Sequence, residues 1–217
     1  MRKKLIILGS VGTCLDLAES VLATDDFELL GFLDDNIPEG TITSIGKPVL
    51  GTLDSASKFS GCNFINAIGS PKSYRHRENL ILGLNIPQDY FANIIHPKAC
   101  LSASLKMGAG NFIFANSSVG ANVQLDNHIS VLQNSVIGHD SIIESYVIIA
   151  AGVTISGRVK ISKGAYIGAG STFKEDVIVG EGTLVGAGSV VVNNLPPQSI
   201  CYGVPAVAIR AFPQNFI

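Results

Sequence analysis

Tryptophan is absent from the 217-residue sequence, and charged residues make up only 15% of it. The 15 lysine and arginine residues nearly balance the 17 aspartate and glutamate residues, so the net charge is −2 and no basic surface for nucleic acid is predicted. Hydrophobic residues reach 47% and the mean hydropathy is +0.38, which excludes a disordered chain. The longest apolar runs, at 5–8 and 146–151, are too short to span a membrane.

Cysteine is also scarce. The four cysteines lie far apart and form no C-x-x-C pair, so their spacing signals neither a zinc site nor a disulfide framework. The apolar run at the N-terminus stops at Gly9 after four residues, which is too short for a secretory signal. We therefore expect a reduced, cytoplasmic protein without a bound metal.

An apolar residue recurs at every sixth position from residue 95 to residue 191. All seventeen such positions are apolar, against a background of 47%, and no insertion breaks the register. A period of six fits neither a plain helix nor a plain sheet, and it predicts short strands separated by sharp turns, three to a coil, with coils about 4.8 Å apart. Residues 93–217 are thus predicted to form a parallel β-solenoid of nearly six coils. Glycines that follow the repeated residue, for example Gly138, are expected to give the turns their backbone freedom. The repeated residues are Ile95, Leu101, Met107, Ile113, Val119, Leu125, Val131, Ile137, Ile143, Ile149, Ile155, Ile161, Ile167, Phe173, Val179, Val185 and Val191.

Residues 1–92 have a different texture, that of a Rossmann-like α/β domain. A buried strand, a glycine turn, a helix, a second strand and an acidic end follow one another, which is typical of a nucleotide-binding unit. The turn reads G-x-x-G rather than G-x-G-x-x-G, which argues against NAD. The acidic pair Asp34 and Asp35 is interpreted either as a ligand for ribose hydroxyls or a base edge, or as a solvated strand end. The predicted elements are strands at 5–8, 27–33 and 64–68, and helices at 13–23 and 73–82, the first of which is expected to bury Leu15, Ala18, Val21 and Leu22.

The hexads around Ile137-Gly-His-Asp-Ser-Ile142 and the closing segment Tyr202-Gly-Val-Pro-Ala206 resemble those of left-handed β-helix acyltransferases. Together with Phe32-Leu-Asp-Asp35 and Ala67-Ile-Gly69, they make the whole chain similar to sugar acyltransferases of the sialic acid O-acetyltransferase type. The layout is closer still to N-acetyltransferases of nucleotide-linked 4-amino-4,6-dideoxy sugars, such as UDP-linked bacillosamine or GDP-linked perosamine. This resemblance implies a left-handed solenoid, a homotrimer, acetyl-CoA bound between adjacent prisms, and a sugar precursor for surface glycan as the acceptor.

Two histidines fall in turns of the solenoid, His128 and His139, and both are expected to point outward. Acyl transfer from a thioester to an amine or hydroxyl needs a base that works near neutral pH, and a carboxylate beside an imidazole fixes its tautomer. His139 is directly followed by Asp140, and in the resembled enzymes a histidine followed by an acidic residue is the catalytic base. The resemblance thus implies His139 as general base and Asp140 as its orienting partner. A third histidine, His76, is expected on a helix surface.

The resemblance also carries ligand contacts onto this sequence. A histidine that contacts acetyl-CoA nine residues after the base corresponds to Ile148 here, and two main-chain contacts fall on Ala169 and Ala187, which are equally well read as plain tight turns. The closing segment with Arg210 is interpreted as the cap of the solenoid, beside the CoA nucleotide. Contacts to the nucleotide sugar fall on Val11, Gly12, Thr13, Asp34, Asp35 and Gly69, although a histidine is common at the place of Thr13.

Other functions of hexapeptide-repeat solenoids make different demands on the sequence. A γ-type carbonic anhydrase needs two histidines five residues apart, whereas His128 and His139 are eleven apart. A non-catalytic β-helix scaffold, either a solenoid assembly or an ice-binding surface, is an alternative of a different class. Ice binding needs repeated threonine ladders, and the threonines here are scattered. A sugar-sensing NAD domain fused to a structural prism is disfavoured by the missing third glycine. Between N-acetylation of a nucleotide-linked amino sugar and O-acetylation of a sialic-acid-like sugar, the N-terminal pocket favours the nucleotide-linked acceptor.

Overall fold

The structure is a computed structural model that describes residues 2–212, and its N-terminal part is a three-stranded parallel sheet. Strand β1 (Lys3–Leu8) lies between β2 (Phe27–Leu33) and β3 (Asn63–Asn66). Residues 5–8 of β1 are fully buried, as a central parallel strand covered on both faces requires. The helices are α1 (Thr13–Leu22) and α2 (Arg77–Gly83), and shorter 3-10 turns occur at Leu53–Lys58, Tyr74–His76 and Gln88–Tyr90.

The predicted N-terminal elements are present, with three differences in detail. The helix predicted over 73–82 is a 3-10 turn at Tyr74–His76 followed by α2 at Arg77–Gly83. Helix α1 buries Cys14, Leu17, Ala18 and Val21, whereas Leu22 is 53% exposed, so the prediction of a buried Leu22 is wrong. The stripe that packs on the sheet follows the spacing i, i+3, i+4, i+7 from Cys14, which turns Leu22 to solvent. The strand predicted over 64–68 ends at Asn66, because the side chain of Asn66 accepts the backbone N–H of Ile68 in place of a ladder bond.

From Ile94 onward the chain is a parallel β-solenoid built on the repeated apolar residues. Seventeen strands of two residues, β4 to β20, follow one another, and the second residue of each is one of the seventeen repeated positions. From Ile113 onward these side chains are at most 2% exposed and form one continuous core. The strands are Ile94–Ile95, Cys100–Leu101, Lys106–Met107, Phe112–Ile113, Ser118–Val119, Gln124–Leu125, Ser130–Val131, Val136–Ile137, Ile142–Ile143, Ile148–Ile149, Thr154–Ile155, Lys160–Ile161, Tyr166–Ile167, Thr172–Phe173, Ile178–Val179, Leu184–Val185 and Val190–Val191.

Three strands make one coil of 18 residues, and the stacked coils form a prism with three faces. The first face contains β4, β7, β10, β13, β16 and β19; the second contains β5, β8, β11, β14, β17 and β20; the third contains β6, β9, β12, β15 and β18. Two further strands, β21 (Ser199–Gly203) and β22 (Ala206–Ala211), form an antiparallel hairpin that continues the first face. The hairpin buries Cys201 and Ala206 against the solenoid core, so it caps this end of the prism, and Arg210 within it is exposed.

The turns depend on two kinds of position. From residue 110 to residue 188 every sixth residue has a positive φ, and most of these are glycine, asparagine or aspartate, which tolerate that conformation. The glycines directly after the repeated residues were expected to supply this freedom, and that expectation is wrong. At Gly138 the φ lies outside the left-handed region, but an added Cβ would lie 2.5 Å from the carbonyl carbon of Ser156 on the next coil. These glycines are needed for close approach between coils.

The N-terminal sheet is docked on the first face of the solenoid. Gly69, after β3, lies against Ile148 of β13, and the ring of Tyr74 lies 5.6 Å from that of Tyr166 on β16. The hydroxyl of Tyr74 also donates to the backbone carbonyl of Gly182 at 2.9 Å. These contacts fix the carboxyl ends of the N-terminal strands beside one face of the prism. No helix within residues 2–212 is long and apolar enough to cross a membrane.

Candidate active site

His139 and Asp140 stand on the corner of the prism where the second face turns into the third, between β11 and β12. The Nδ1 atom of His139 lies 2.7 Å from Oδ2 of Asp140, and the two side chains are 55% and 47% exposed. The sequence places them next to each other, and the left-handed φ of 57° at Asp140 is that of the sharp turn on which they sit. The pair is thus solvent-accessible and hydrogen-bonded.

The carboxylate of Asp140 is held from two sides. Besides its bond to His139, it accepts a hydrogen bond from the side-chain amide of Asn122, 3.1 Å away on the coil below. The hydrogen bond from His139, followed by that from Asn122, lowers the pKa of Asp140 below its usual value. Because a carboxylate bound to Nδ1 stays ionised, the remaining nitrogen, Nε2, is the one available to take up a proton.

The imidazole of His139 rests on a glycine of the coil above. A Cβ added at Gly157 would lie 2.5 Å from Nε2 of His139 and 2.7 Å from its Cε1. The absent side chain therefore leaves room for the ring. Within residues 2–212, Nε2 has no hydrogen-bond partner, so the imidazole is held at Nδ1 and open at Nε2.

The N-terminal residues implied in sugar-nucleotide binding come together at the carboxyl ends of β1, β2 and β3. They line one cavity of about 430 Å³: Val11, Gly12, Thr13, Asp34, Asp35 and Gly69. A second cavity of about 220 Å³ lies deeper, against the first face of the solenoid. The two share Thr13, Gly69 and Ser70 in their walls, so they are contiguous.

The two acidic residues of this cavity already have partners in the chain. Asp34 is buried and accepts hydrogen bonds from the backbone and hydroxyl of Ser10, at 2.9 and 2.7 Å, which ties the glycine turn to the end of β2. Asp35 is exposed and accepts the backbone N–H of Leu53 at 2.8 Å. Both carboxylates therefore shape the loops around the cavity, and the exposed Asp35 retains an oxygen for a ligand.

The structure does not bring all of the predicted contacts together within one chain. Ile148 is 5% exposed on the first face beside Gly69, next to the N-terminal cavities. Ala169 and Ala187 are exposed on the corner between the first and second faces, stacked one coil apart. His139 stands on the corner between the second and third faces, which in a three-sided prism is opposite the first face.

The expectation that His128 points outward is wrong. Its side chain is 1% exposed, stacks on the ring of Tyr146 with centroids 5.3 Å apart, and meets Phe91 edge-on at 4.6 Å. The segment after α2 covers this corner, which the repeat alone does not reveal, and Gln88 lies within 3.2 Å of Nε2. Burial, and then the nearby charge of Arg77, lower the pKa of His128 to about 4. His76, by contrast, is exposed as predicted.

Sequence reasoning missed two residues that contact the pair of His139 and Asp140, namely Asn122 and Gly157. Each lies 18 residues, or one coil, from the residue that it contacts, Asp140 and His139 respectively. The 18-residue period was the signal that could have found them, because it stacks equivalent turn positions on one another. Among residues 2–212 no group of three or more His, Cys, Asp or Glu side chains is placed to hold a metal ion.

Comparison with known families and structures agrees with this architecture. Residues 4–79 match the model of the PglD N-terminal domain, and residues 158–193 match the model of the bacterial transferase hexapeptide (six repeats). A search of curated protein sequences gave no match.

Three solved structures resemble the whole described chain. The acetyltransferase domain of PglB from Neisseria gonorrhoeae, in complex with acetyl coenzyme A, is 27% identical with a TM-score of 0.86, covering 96% of this chain and 100% of its own. A histidine mutant of perosamine N-acetyltransferase from Caulobacter crescentus, in complex with CoA and GDP-perosamine, is 25% identical with a TM-score of 0.85, covering 95% and 97%. WeeI from Acinetobacter baumannii is 25% identical with a TM-score of 0.81, covering 95% and 100%. The chain is therefore an acyltransferase that joins a PglD N-terminal domain to a solenoid of bacterial transferase hexapeptide repeats, and over its whole length it is similar to sugar acetyltransferases.

Proposed function

We propose that the protein transfers the acetyl group of acetyl-CoA to the 4-amino group of a nucleotide-linked amino-dideoxy sugar, of the UDP-linked bacillosamine type, with His139 as general base. The observation that carries the proposal is the pair of His139 and Asp140, fixed through Nδ1 at 2.7 Å and open at Nε2. An imidazole oriented in this way accepts a proton from an attacking nucleophile and returns it to a leaving group.

The reaction requires no nucleophile from the enzyme. The sugar amine attacks the thioester carbonyl, a C–N bond forms, and Nε2 of His139 takes the proton that the nitrogen loses. Collapse of the tetrahedral intermediate breaks the C–S bond, and the proton passes from His139 to the departing CoA thiolate. Asp140 stabilises the transient imidazolium without itself taking a proton, as a carboxylate with a lowered pKa can.

We further propose that the active site is shared between copies of the chain. The cavities at the N-terminal domain lie on the first face, while His139 stands on the opposite corner, so one chain cannot bring its own base to its own sugar. A closed ring of three copies places the corner of one prism beside the first face of the next. Acetyl-CoA would then lie in the groove between prisms, along Ile148, Ala169 and Ala187.

The solved relatives support the substrate class. The PglB domain holds acetyl coenzyme A, and the perosamine enzyme holds CoA together with GDP-perosamine, a nucleotide-linked amino sugar. This chain has the matching N-terminal cavity of about 430 Å³ beside a glycine turn and a helix N-terminus. That cavity favours a nucleotide-linked acceptor over a free sialic-acid-like sugar.

The test is release of the CoA thiol from acetyl-CoA with UDP-, GDP- and dTDP-linked 4-amino sugars and with free sialic acid as acceptors. We expect turnover on one nucleotide-linked amino sugar, and turnover on sialic acid alone would instead establish an O-acetyltransferase. His139→Ala is expected to lower kcat at least about a hundredfold, the scale of a lost general base. His76→Ala, which removes an exposed helix histidine, is the matched control and should leave kcat unchanged. Light scattering on the wild type should give a trimer, and near-normal turnover of His139→Ala would contradict the mechanism.

A further inference from the structure

Arg77, the first residue of α2, is a buried cation without an acidic partner. Its side chain is 2% exposed, and within residues 2–212 no carboxylate is paired with it. Its guanidinium donates instead to the backbone carbonyls of Asn66, Tyr146 and Val147, each at 3.4 Å, while Nε has no partner in this part of the chain. Burial lowers the pKa of Arg77 to about 9, which leaves it charged at neutral pH. An isolated buried charge is costly, so its position needs a reason.

The shortest contact of Arg77 gives that reason. Its Nη2 atom donates to the hydroxyl oxygen of Ser130, on β10 of the first face, at 2.7 Å. Arginine has no acceptor, so Ser130 must be the acceptor in this bond and its own hydroxyl hydrogen must be donated elsewhere. No acceptor for that hydrogen is present among the described residues. A hydroxyl that accepts from a cation is also a stronger donor, because the two hydrogen bonds polarise each other.

Ser130 lines the deeper of the two contiguous cavities, the one of about 220 Å³ between Gly69 and the first face. The wall around it is largely apolar, with Phe112, Leu132 and Ile148 on the solenoid side. A ligand in this space therefore meets mainly apolar side chains, the polarised hydroxyl of Ser130, and the hydroxyl-bearing residues Thr13, Ser70 and Tyr166. The apolar part of the wall suits the carbon-bound hydrogen and methyl groups of a deoxy sugar.

We propose that Ser130 donates a hydrogen bond to an oxygen of the acceptor sugar, and that Arg77 is the positioning residue that orients this donor. The proposal rests on the proposed function for the presence of a nucleotide-linked sugar. It adds a residue that reads the sugar itself, in the deeper cavity, while the nucleotide occupies the outer one along the glycine turn.

The test compares Ser130→Ala with Ser135→Ala. Ser135 is an equally buried serine on the same coil, but its hydroxyl donates within the solenoid to the carbonyl of Ala150 and does not reach the cavity. For Ser130→Ala we expect the KM and the dissociation constant of the acceptor sugar nucleotide to rise about tenfold, the scale of one hydrogen bond to a polarised donor. The KM for acetyl-CoA and the affinity for the bare nucleoside diphosphate should stay within about twofold. Ser135→Ala should leave all four values unchanged.

The outcomes are distinguishable from a failure of the proposed function. Should the wild type neither turn over nor bind any of the nucleotide-linked sugars, the proposed function fails, and the assignment of Ser130 to the acceptor sugar is overturned with it. Should the wild type be active, the assignment of Ser130 is overturned by an unchanged acceptor affinity, by an effect confined to acetyl-CoA, or by an equal loss of affinity for the bare nucleotide. Arg77→Lys, which keeps the charge but loses the planar fork, should shift the acceptor KM in the same direction as Ser130→Ala and likewise spare the bare nucleotide.

Discussion

Gly157, on the coil above His139, provides a way to displace the imidazole of His139 without replacing it. Gly157 has a φ outside the left-handed region, so alanine is compatible with its backbone. The three heavy atoms nearest to an added Cβ all belong to the His139 ring, at 2.5 to 3.0 Å. Since that ring is more than half exposed, it can swing toward solvent, and we expect Gly157→Ala to fold and assemble normally.

The size of the effect follows from these distances. Carbon and nitrogen atoms in ordinary contact are about 3.5 Å apart or more, so the ring must recede by about 1 Å. A misplacement of about 1 Å in a catalytic group costs on the order of a hundredfold in rate. Gly157→Ala is therefore expected to lower kcat by a factor of about ten to a hundred, with little change in the acceptor KM.

A double-mutant cycle separates this mechanism from a general disturbance of the turn. In the background of His139→Ala, the change Gly157→Ala should have no further effect on kcat, because the ring with which it collides is gone. Gly83→Ala, at a glycine with open space around it, controls for the exchange of glycine for alanine. The reasoning would be refuted if Gly157→Ala lowered kcat by the same factor in the His139→Ala background as in the wild type. It would also be refuted if Gly157→Ala alone had the kcat of the wild type.

Two other predictions concern the docking of the N-terminal part. His128 has a pKa of about 4 in the folded chain against 6.5 as its ordinary value, so the unfolded state binds more protons between these values and the free energy of unfolding falls as the pH drops from 6.5 to 4. His128→Asn, which tolerates the positive φ, should remove about 2 kcal/mol of this loss between pH 6.5 and pH 4.5, as measured by urea unfolding at the two pH values. Gly69 lines both cavities, and Gly69→Ala would put a Cβ 2.5 Å from Cδ1 of Ile148, so it should raise the acceptor KM several-fold. Adding Ile148→Val, which deletes that Cδ1, should restore the KM of the wild type.

The sequence predicted the solenoid well because each coil repeats the same physical requirement. One residue in six must fill the core, and a single apolar position therefore marks each two-residue strand, from Ile95 to Val191. Local order also sufficed for the pair of His139 and Asp140, since neighbours in sequence share one turn. The glycine turn and the acidic end of β2 meet at one cavity because the carboxyl ends of neighbouring parallel strands lie at the same edge of the sheet.

The remaining features depend on docking between the two parts of the chain, which no local pattern encodes. His128 occupies a turn that would be exposed in an isolated solenoid, and only the segment through Gln88 and Phe91 buries it. Arg77 begins a short helix, and its side chain is buried between the sheet and the first face, where it contacts Ser130. Such contacts join residues 37 to 53 positions apart, so they appear only once the two parts are assembled.

Because each coil has 18 residues, the number of residues between two positions determines the face and the height at which each lies on the prism. Adding or removing six residues moves every later side chain to another face, whereas adding or removing 18 returns it to the same face about 4.8 Å higher or lower. Ser130 and Ile148 lie on neighbouring strands of the first face, one coil apart. His139 lies between them in sequence, on the corner opposite that face. The height of His139 relative to the N-terminal cavities is thus set by a count of residues, which changes in steps of one coil.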